Sequence, residues 1–169
     1  VFENCKTLTS IKLPASIETI GTLAFDRCVN LKSVSFYGDT PELRKISSKA
    51  FYKCESLETF EFPNSLEEIG SSAFEGCSSL TGDLIIPNSV TIIGKKAFNG
   101  CSGLNGSLTI GNAVTSIGSE AFRGCTGFTG DLTISNSVIE IGEYAFYDCS
   151  GLTGNLTIPN SVTTIGNYA

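Results

Sequence analysis

Phenylalanine and cysteine stand three residues apart seven times along the chain, at Phe2/Cys5, Phe25/Cys28, Phe51/Cys54, Phe74/Cys77, Phe98/Cys101, Phe122/Cys125 and Phe146/Cys149. Successive cysteines are 23, 26, 23, 24, 24 and 24 residues apart. A period held that closely over the whole chain is explained simply by a stack of similar supersecondary units, with the same buried position recurring in each. A solenoid is therefore expected, as a single array over residues 1–169, because no linker, charge block or low-complexity stretch interrupts the repeat. Both ends fall inside a repeat: Val1-Phe2 stands where later copies read Ala-Phe, and Ala169 stands where phenylalanine should follow. A segment of a longer protein is expected.

Within the unit, Leu-Thr-Ile at 108–110, 132–134 and 156–158 alternates apolar and polar side chains, the pattern of a half-buried strand. Each copy should add one strand to a parallel sheet. Pro14, Pro63, Pro87 and Pro159 follow directly, and a residue without a donor N–H ends a strand. The next stretch, Val-x-x-Ile-Gly, predicts a short extended segment on the opposite flank. Gly21, Gly70, Gly94, Gly118, Gly142 and Gly166 are expected to take positive φ on leaving it. In x-x-Ala-Phe-x-x-Cys, alanine and cysteine are four apart, a spacing that suits one helical or 3-10 turn with a single inward face. The inward set, for example Leu57, Phe60, Phe62, Leu66, Ile69, Ala73, Phe74 and Cys77, is buried only when neighbouring units cover both sides. A lone unit should not fold.

Two departures interrupt the regularity. The 26-residue interval contains Phe36-Tyr-Gly-Asp-Thr-Pro-Glu-Leu43-Arg-Lys-Ile46-Ser47, with Ser47 where glycine belongs, and reads as an outward loop. From Cys77 onward each complete copy gains a residue at Gly82-Asp83, Gly106-Ser107, Gly130-Asp131 and Gly154-Asn155, where a bend or bulge at the strand entrance would absorb it.

The run Cys-x-x-Leu-x-x-Ile-x-Ile-Pro-x-Ser-Val-x-x-Ile-Gly-x-x-Ala-Phe-x-x-Cys resembles the BspA-like, treponemal class of leucine-rich repeats over the whole chain. The resemblance implies a right-handed leucine-rich-repeat solenoid with one parallel strand per repeat of 23–26 residues. It further implies an extracellular or cell-surface scaffold without catalytic residues, engaged in adhesion-type protein interactions, with host matrix proteins among the candidate partners. A structural stalk presenting another domain is the alternative.

The chemistry of the side chains points the same way. With a net charge of -6 and no histidine, the chain lacks the basic stripe that neutralises phosphates, so nucleic acid is not an expected partner. No apolar run approaches the length of a membrane span, and direct insertion is not expected. The cysteines lack the local pairs of zinc sites and read as small buried hydrophobes, although a ladder of thiols between coils is a second reading. Asp83, Ser107, Asp131 and Asn155 form an oxygen-bearing column, but one side chain per coil supplies too few ligands for calcium, and turn chemistry is the favoured role. The series Gly124-x-x-Gly127-x-x-Gly130 does not match a phosphate loop, and no histidine is present to activate a serine. No enzyme activity, metal or cofactor is therefore expected.

Stacked Asn64, Asn88, Asn112, Asn136 and Asn160 suit a structural amide column. What remains is the outward column of the strand face, Lys12, Ser35, Glu61, Ile85, Thr109, Thr133 and Thr157. With Lys32, Tyr37 and Glu58 close by, it is the candidate ligand surface, and its N-terminal half is the more individual part. A protein or glycan is the expected partner. Uncapped ends would also allow end-to-end self-association.

Overall fold

The computed structural model describes residues 2–169, so Val1, the counterpart of the repeated alanine, lies outside the described residues. The Val-x-x-Ile-Gly segments form the more continuous flank. Here β2 (Thr19–Ile20), β4 (Lys45–Ile46), β6 (Glu68–Ile69), β8 (Ile92–Ile93), β10 (Ser116–Ile117), β11 (Glu140–Ile141) and β12 (Thr164–Ile165) pair in that order into one parallel sheet. The register sets Ile20, Ile46, Ile69, Ile93, Ile117, Ile141 and Ile165 side by side. All but the last are buried against the core.

The Leu-Thr-Ile flank is parallel too, but broken. One sheet holds β1 (Ser10–Leu13), β3 (Ser33–Phe36) and β5 (Thr59–Phe60), and a second holds β7 (Leu84–Ile85) and β9 (Leu108–Thr109). Beyond β9 the column continues as single bridges, Thr109 to Thr133 and Thr133 to Thr157. The chain is thus the expected parallel solenoid, with its apolar seam enclosed between two flanks.

Among the described residues no helix occurs, and the Ala-Phe-x-x-Cys segments are runs of tight turns. In one such run Ala24 donates to the Gly21 carbonyl at 3.2 Å, Asp26 to Leu23 at 3.3 Å and Cys28 to Phe25 at 3.1 Å. Left-handed residues are interleaved with these turns, such as Leu23 at φ 58° and Arg27 at φ 54°. They swing alternate N–H groups out of the coil, so that Leu23, Phe25 and Arg27 donate to Ser48, Ala50 and Tyr52 of the following coil at 3.2, 2.8 and 2.7 Å. A ladder running along the solenoid axis takes the place of a helical turn, and every backbone donor in it finds a partner.

That ladder fixes the coil spacing, and the phenylalanines stack on it. Ring centroids lie 5.2 Å apart for Phe25/Phe51 and Phe51/Phe74, 5.3 Å for Phe74/Phe98, 5.6 Å for Phe98/Phe122 and 5.3 Å for Phe122/Phe146.

The repeated glycines have a role other than the expected one. Gly21, Gly70, Gly94, Gly118, Gly142 and Gly166 do not have positive φ; the left-handed residue comes two positions later, at Leu23, Ser72, Lys96, Glu120, Tyr144 and Tyr168. What these glycines avoid is contact. A Cβ on Gly94 would lie 2.6 Å from the Ser71 nitrogen, and one on Gly118 would lie 2.5 Å from the Lys95 nitrogen. At Gly21, in the first coil described, such a Cβ would meet nothing within 4 Å.

The insert after Phe36 is only partly outward. Tyr37 to Thr40 are exposed, with Gly38 at φ 71°, but Leu43 and Ile46 return to the core. The Ser65 hydroxyl ties this segment down, lying 2.9 Å from the Pro41 carbonyl and 2.8 Å from that of Leu43.

Candidate interaction surface

The outward strand column is assembled much as its spacing predicts. Lys12 pairs with Ser35, the register of Val34 with Phe60 sets Glu61 next to Ser35, and Ile85, Thr109, Thr133 and Thr157 align in turn. The charged members differ in how free they are. Lys32 pairs with Glu58 at 3.5 Å, and the Lys12 ammonium stands 4.7 Å from the centre of the Tyr37 ring. Both contacts lie within the protein and are largely exposed, so each contributes little to stability. Glu61 has no such partner among the described residues, and Ile85 is 60 % exposed.

These last two residues line a cleft of about 610 Å³ that opens where β5 and β7 fail to pair. Its floor includes Phe60 and Phe62, and the 39–41 segment of the insert forms one wall. In the following units the equivalent Leu84 and Ile86 are buried, whereas Phe60 and Phe62 are half-buried because no paired strand closes over them. They pack edge-on against the axial stack, Phe60 at 5.1 Å and Phe62 at 5.3 Å from the Phe74 ring. Asp39, Glu61 and Asp83 supply charge at the cleft, and no lysine or arginine lines it.

Neither Asp39 nor the two phenylalanines were legible as surface residues from spacing alone. The available signal was that the unit reading Phe-Glu-Phe-Pro sits between the longest interval and the first copy with the Gly-Asp insertion.

A second cleft of about 480 Å³ lies where the flank is reduced to single bridges, lined by Asn112, Thr133, Ser135, Asn136, Asn155 and Thr157 among others. Leu132, Ile134 and Pro159 add apolar lining to these amides and hydroxyls, and Asp131 supplies the one carboxylate.

The column of Asp83, Ser107, Asp131 and Asn155 shows turn chemistry at its first step. Asp83 accepts from the Ser107 N–H at 2.7 Å and from its hydroxyl at 2.9 Å, and these bonds hold its carboxyl below the usual carboxylate range. Gly82 and Gly130 are left-handed, while Gly106 is tucked under Asp83 so closely that a Cβ would lie 2.4 Å from the carboxylate oxygen. In the asparagine column, the Asn112 backbone N–H donates to the Asn88 side-chain oxygen at 2.9 Å, a bond from backbone to side chain and not between stacked amides.

The cysteines are buried, as the first reading expects, and they also form a ladder, though one of thiol to carbonyl and not of thiol to thiol. Cys28, Cys54, Cys77, Cys101, Cys125 and Cys149 are buried, and each thiol donates to the phenylalanine carbonyl of the preceding coil, at 2.9, 3.0, 3.1, 3.2, 3.2 and 3.1 Å. That carbonyl already accepts the N–H of its own coil's cysteine, as Phe25 does from Cys28 at 3.1 Å. The thiol satisfies the second lone pair. Burial pushes the Cys54 and Cys149 thiols up to about 12 and those of Cys77, Cys101 and Cys125 well above the ordinary range.

A thiol with a raised folded pKa holds its proton more tightly when folded. Its stabilising contribution is complete below the ordinary value of 9.0 and is lost as pH rises toward 12. The urea midpoint should therefore be flat up to about pH 8.5 and fall steadily above it. Thiol reagents should label the folded chain quickly only at Cys5, which is half-buried. Rapid native labelling of Cys77 or Cys101 would contradict the buried ladder.

With the geometry described, the chain can be set beside known proteins. The family model for the BspA type leucine rich repeat region matches it in six copies, over residues 1–129 and 79–169. A leucine-rich repeat protein from Bacteroides ovatus superposes with a TM-score of 0.86 at 28% identity, covering 99% of this chain and 42% of that one. The leucine-rich repeat protein of T. pallidum gives 0.77 at 32% identity, covering 90% and 68%. A leucine rich cell surface protein from Faecalibacterium prausnitzii gives 0.63 at 32% identity, covering 98% and 37%. The chain thus spans less than half the length of the Bacteroides ovatus protein. No curated protein matches it in sequence.

Proposed function

Because the chain belongs to the BspA-type leucine-rich repeat family, whose repeat arrays are generally surface proteins that mediate protein interactions, we propose that it is a non-catalytic adhesion scaffold. Its strand face would engage a protein outside the cell, with matrix proteins as the first partners to test. The observation that carries this reading is the contrast along one face. The cleft bordered by Glu61 and Ile85 carries three carboxylates over an aromatic floor, whereas the C-terminal cleft has a single carboxylate and lies on threonines repeated in register. Variation is concentrated where a partner could reach it, on a framework whose interior is occupied by packing.

Immobilised matrix proteins and a glycan panel provide the test. The chain should be retained on at least one matrix protein. The combined Glu61→Lys, Ile85→Lys variant should lose at least about tenfold in affinity with an unchanged urea midpoint, because both residues are exposed. No retention on any protein would defeat the adhesion reading and favour a stalk. Retention that ignores the strand-face variant would place binding elsewhere.

A further inference from the structure

We propose that the cleft between β5 and β7 is a receptor for an arginine side chain presented by an extended segment of the partner protein. This rests on the protein-binding reading above and names the chemistry that the partner would carry.

Three features of the cleft converge. First, it is a gap in an otherwise stacked structure. The opposite flank runs unbroken through β4, β6 and β8, so the coils remain in contact there while the strand face parts. At about 610 Å³ the cleft is of the size that takes a small ligand or one large side chain with its neighbours. Second, its floor is aromatic. Phe36, Phe60 and Phe62 line it, and the last two keep part of their rings accessible while edge contacts with the axial stack hold them in place.

Third, the charge is of one sign. Asp39, Glu61 and Asp83 approach from three segments: the insert, the strand of one coil and the strand entrance of the next. Asp83 is kept ionised by its two bonds from Ser107. A cation able to lie flat on aromatic faces while its N–H groups meet carboxylates at the rim is a guanidinium, not the compact, strongly hydrated ammonium of lysine.

The strand geometry favours an extended presenter. Leu84 and Ile86 give their N–H groups to Ser107 and Thr109 of the following coil at 2.9 Å each. Alternation along the strand then turns the Ile85 backbone toward the cleft, where a partner's main chain can pair with it. The exposed Ile85 side chain offers an apolar contact beside that point.

The probe is the acetylated, amidated pentapeptide Ser-Val-Arg-Val-Ser, set against the same peptide with citrulline, an isosteric uncharged residue, in place of arginine. In amide NMR titrations of the full chain, the arginine peptide should shift residues 59–65 and 83–87 saturably. The citrulline peptide should bind at least about tenfold more weakly. Glu61→Gln and Asp39→Asn should each weaken the arginine peptide about tenfold, and added salt should weaken it further. Both residues are exposed, so an unchanged urea midpoint verifies that the variants fold.

Equal response to the two peptides, shifts confined to other coils, or a response only to neutral oligosaccharides would overturn the proposal. So would undiminished matrix-protein retention by the Glu61→Gln, Asp39→Asn double variant, which would leave the scaffold reading intact. Loss of all retention by the unaltered chain would instead strike the scaffold reading.

Discussion

Phe98→Ala should cost about 3–5 kcal/mol of unfolding free energy, among the largest effects of any single truncation in this chain. Phe98 is fully buried, stacked between Phe74 at 5.3 Å and Phe122 at 5.6 Å, and touched on its edge by Phe62 at 5.9 Å. Removing it opens a cavity at the axis that no neighbour can collapse into, because the backbone ladder fixes the spacing of the coils on either side. The lesion also sits at an interface. In an array stabilised by nearest-neighbour terms, a mid-chain cavity weakens the coupling of two coils at once and should make urea unfolding, followed by far-ultraviolet circular dichroism, broader as well as earlier. Phe2→Ala is the control. That ring is 46 % exposed and has one stacked partner, Phe25, so its loss should cost less than about 1.5 kcal/mol. Equal losses at the two positions would mean that the stack is not the structural axis.

The second large effect concerns glycine. Gly118→Ala forces a methyl group to within 2.5 Å of the Lys95 nitrogen and 2.6 Å of the Gly94 carbonyl carbon, both backbone atoms that cannot rotate away. The coils must separate, and a penalty of about 1–3 kcal/mol or more is expected. Gly21→Ala makes the same change at the same point of the repeat, where nothing lies within 4 Å. It should be neutral, or stabilising by up to about 1 kcal/mol, since alanine has less freedom to lose on folding. If the glycines served backbone conformation, both substitutions would destabilise alike. The comparison of midpoints separates the two causes.

That contrast also shows what a one-dimensional reading can see. The period of the cysteines disclosed the architecture because burial repeats with the coil: in the inner coils the Phe and Cys of Ala-Phe-x-x-Cys and the Ile of Ile-Gly entered the core, while Phe2 and Ile165 in the end coils stay exposed. The reason for each glycine was invisible, because a demand for positive φ and a demand for space both select the same residue. The axial ladder at Leu23, Phe25 and Arg27 was invisible for a related cause: left-handed residues of ordinary type carry no compositional mark. On the strand face, the column from Lys12 to Thr157 was legible from alternation. The break between β5 and β7 was not, although it falls where the repeat first gains its Gly82-Asp83 insertion. Asp39 entered the cleft through the path of the insert, and a loop's path is not written in its periodicity.

The turn flank has one more implication. Its donors at Phe25, Phe51, Phe74, Phe98 and Phe122 all aim toward the following coil, and the acceptors at Ala50, Ala73, Ala97, Ala121 and Ala145 all aim back. The peptide groups at these positions are aligned like arrows along the long axis, so along this flank one face of a coil presents their hydrogens and the other their oxygens, the reverse of the opposite flank, where Ser47, Gly70 and Gly94 donate back to Ile20, Ile46 and Ile69. Arrays joined through this flank can therefore extend only with a consistent sense, front to back, which generates an open line and forbids a closed two-fold pair.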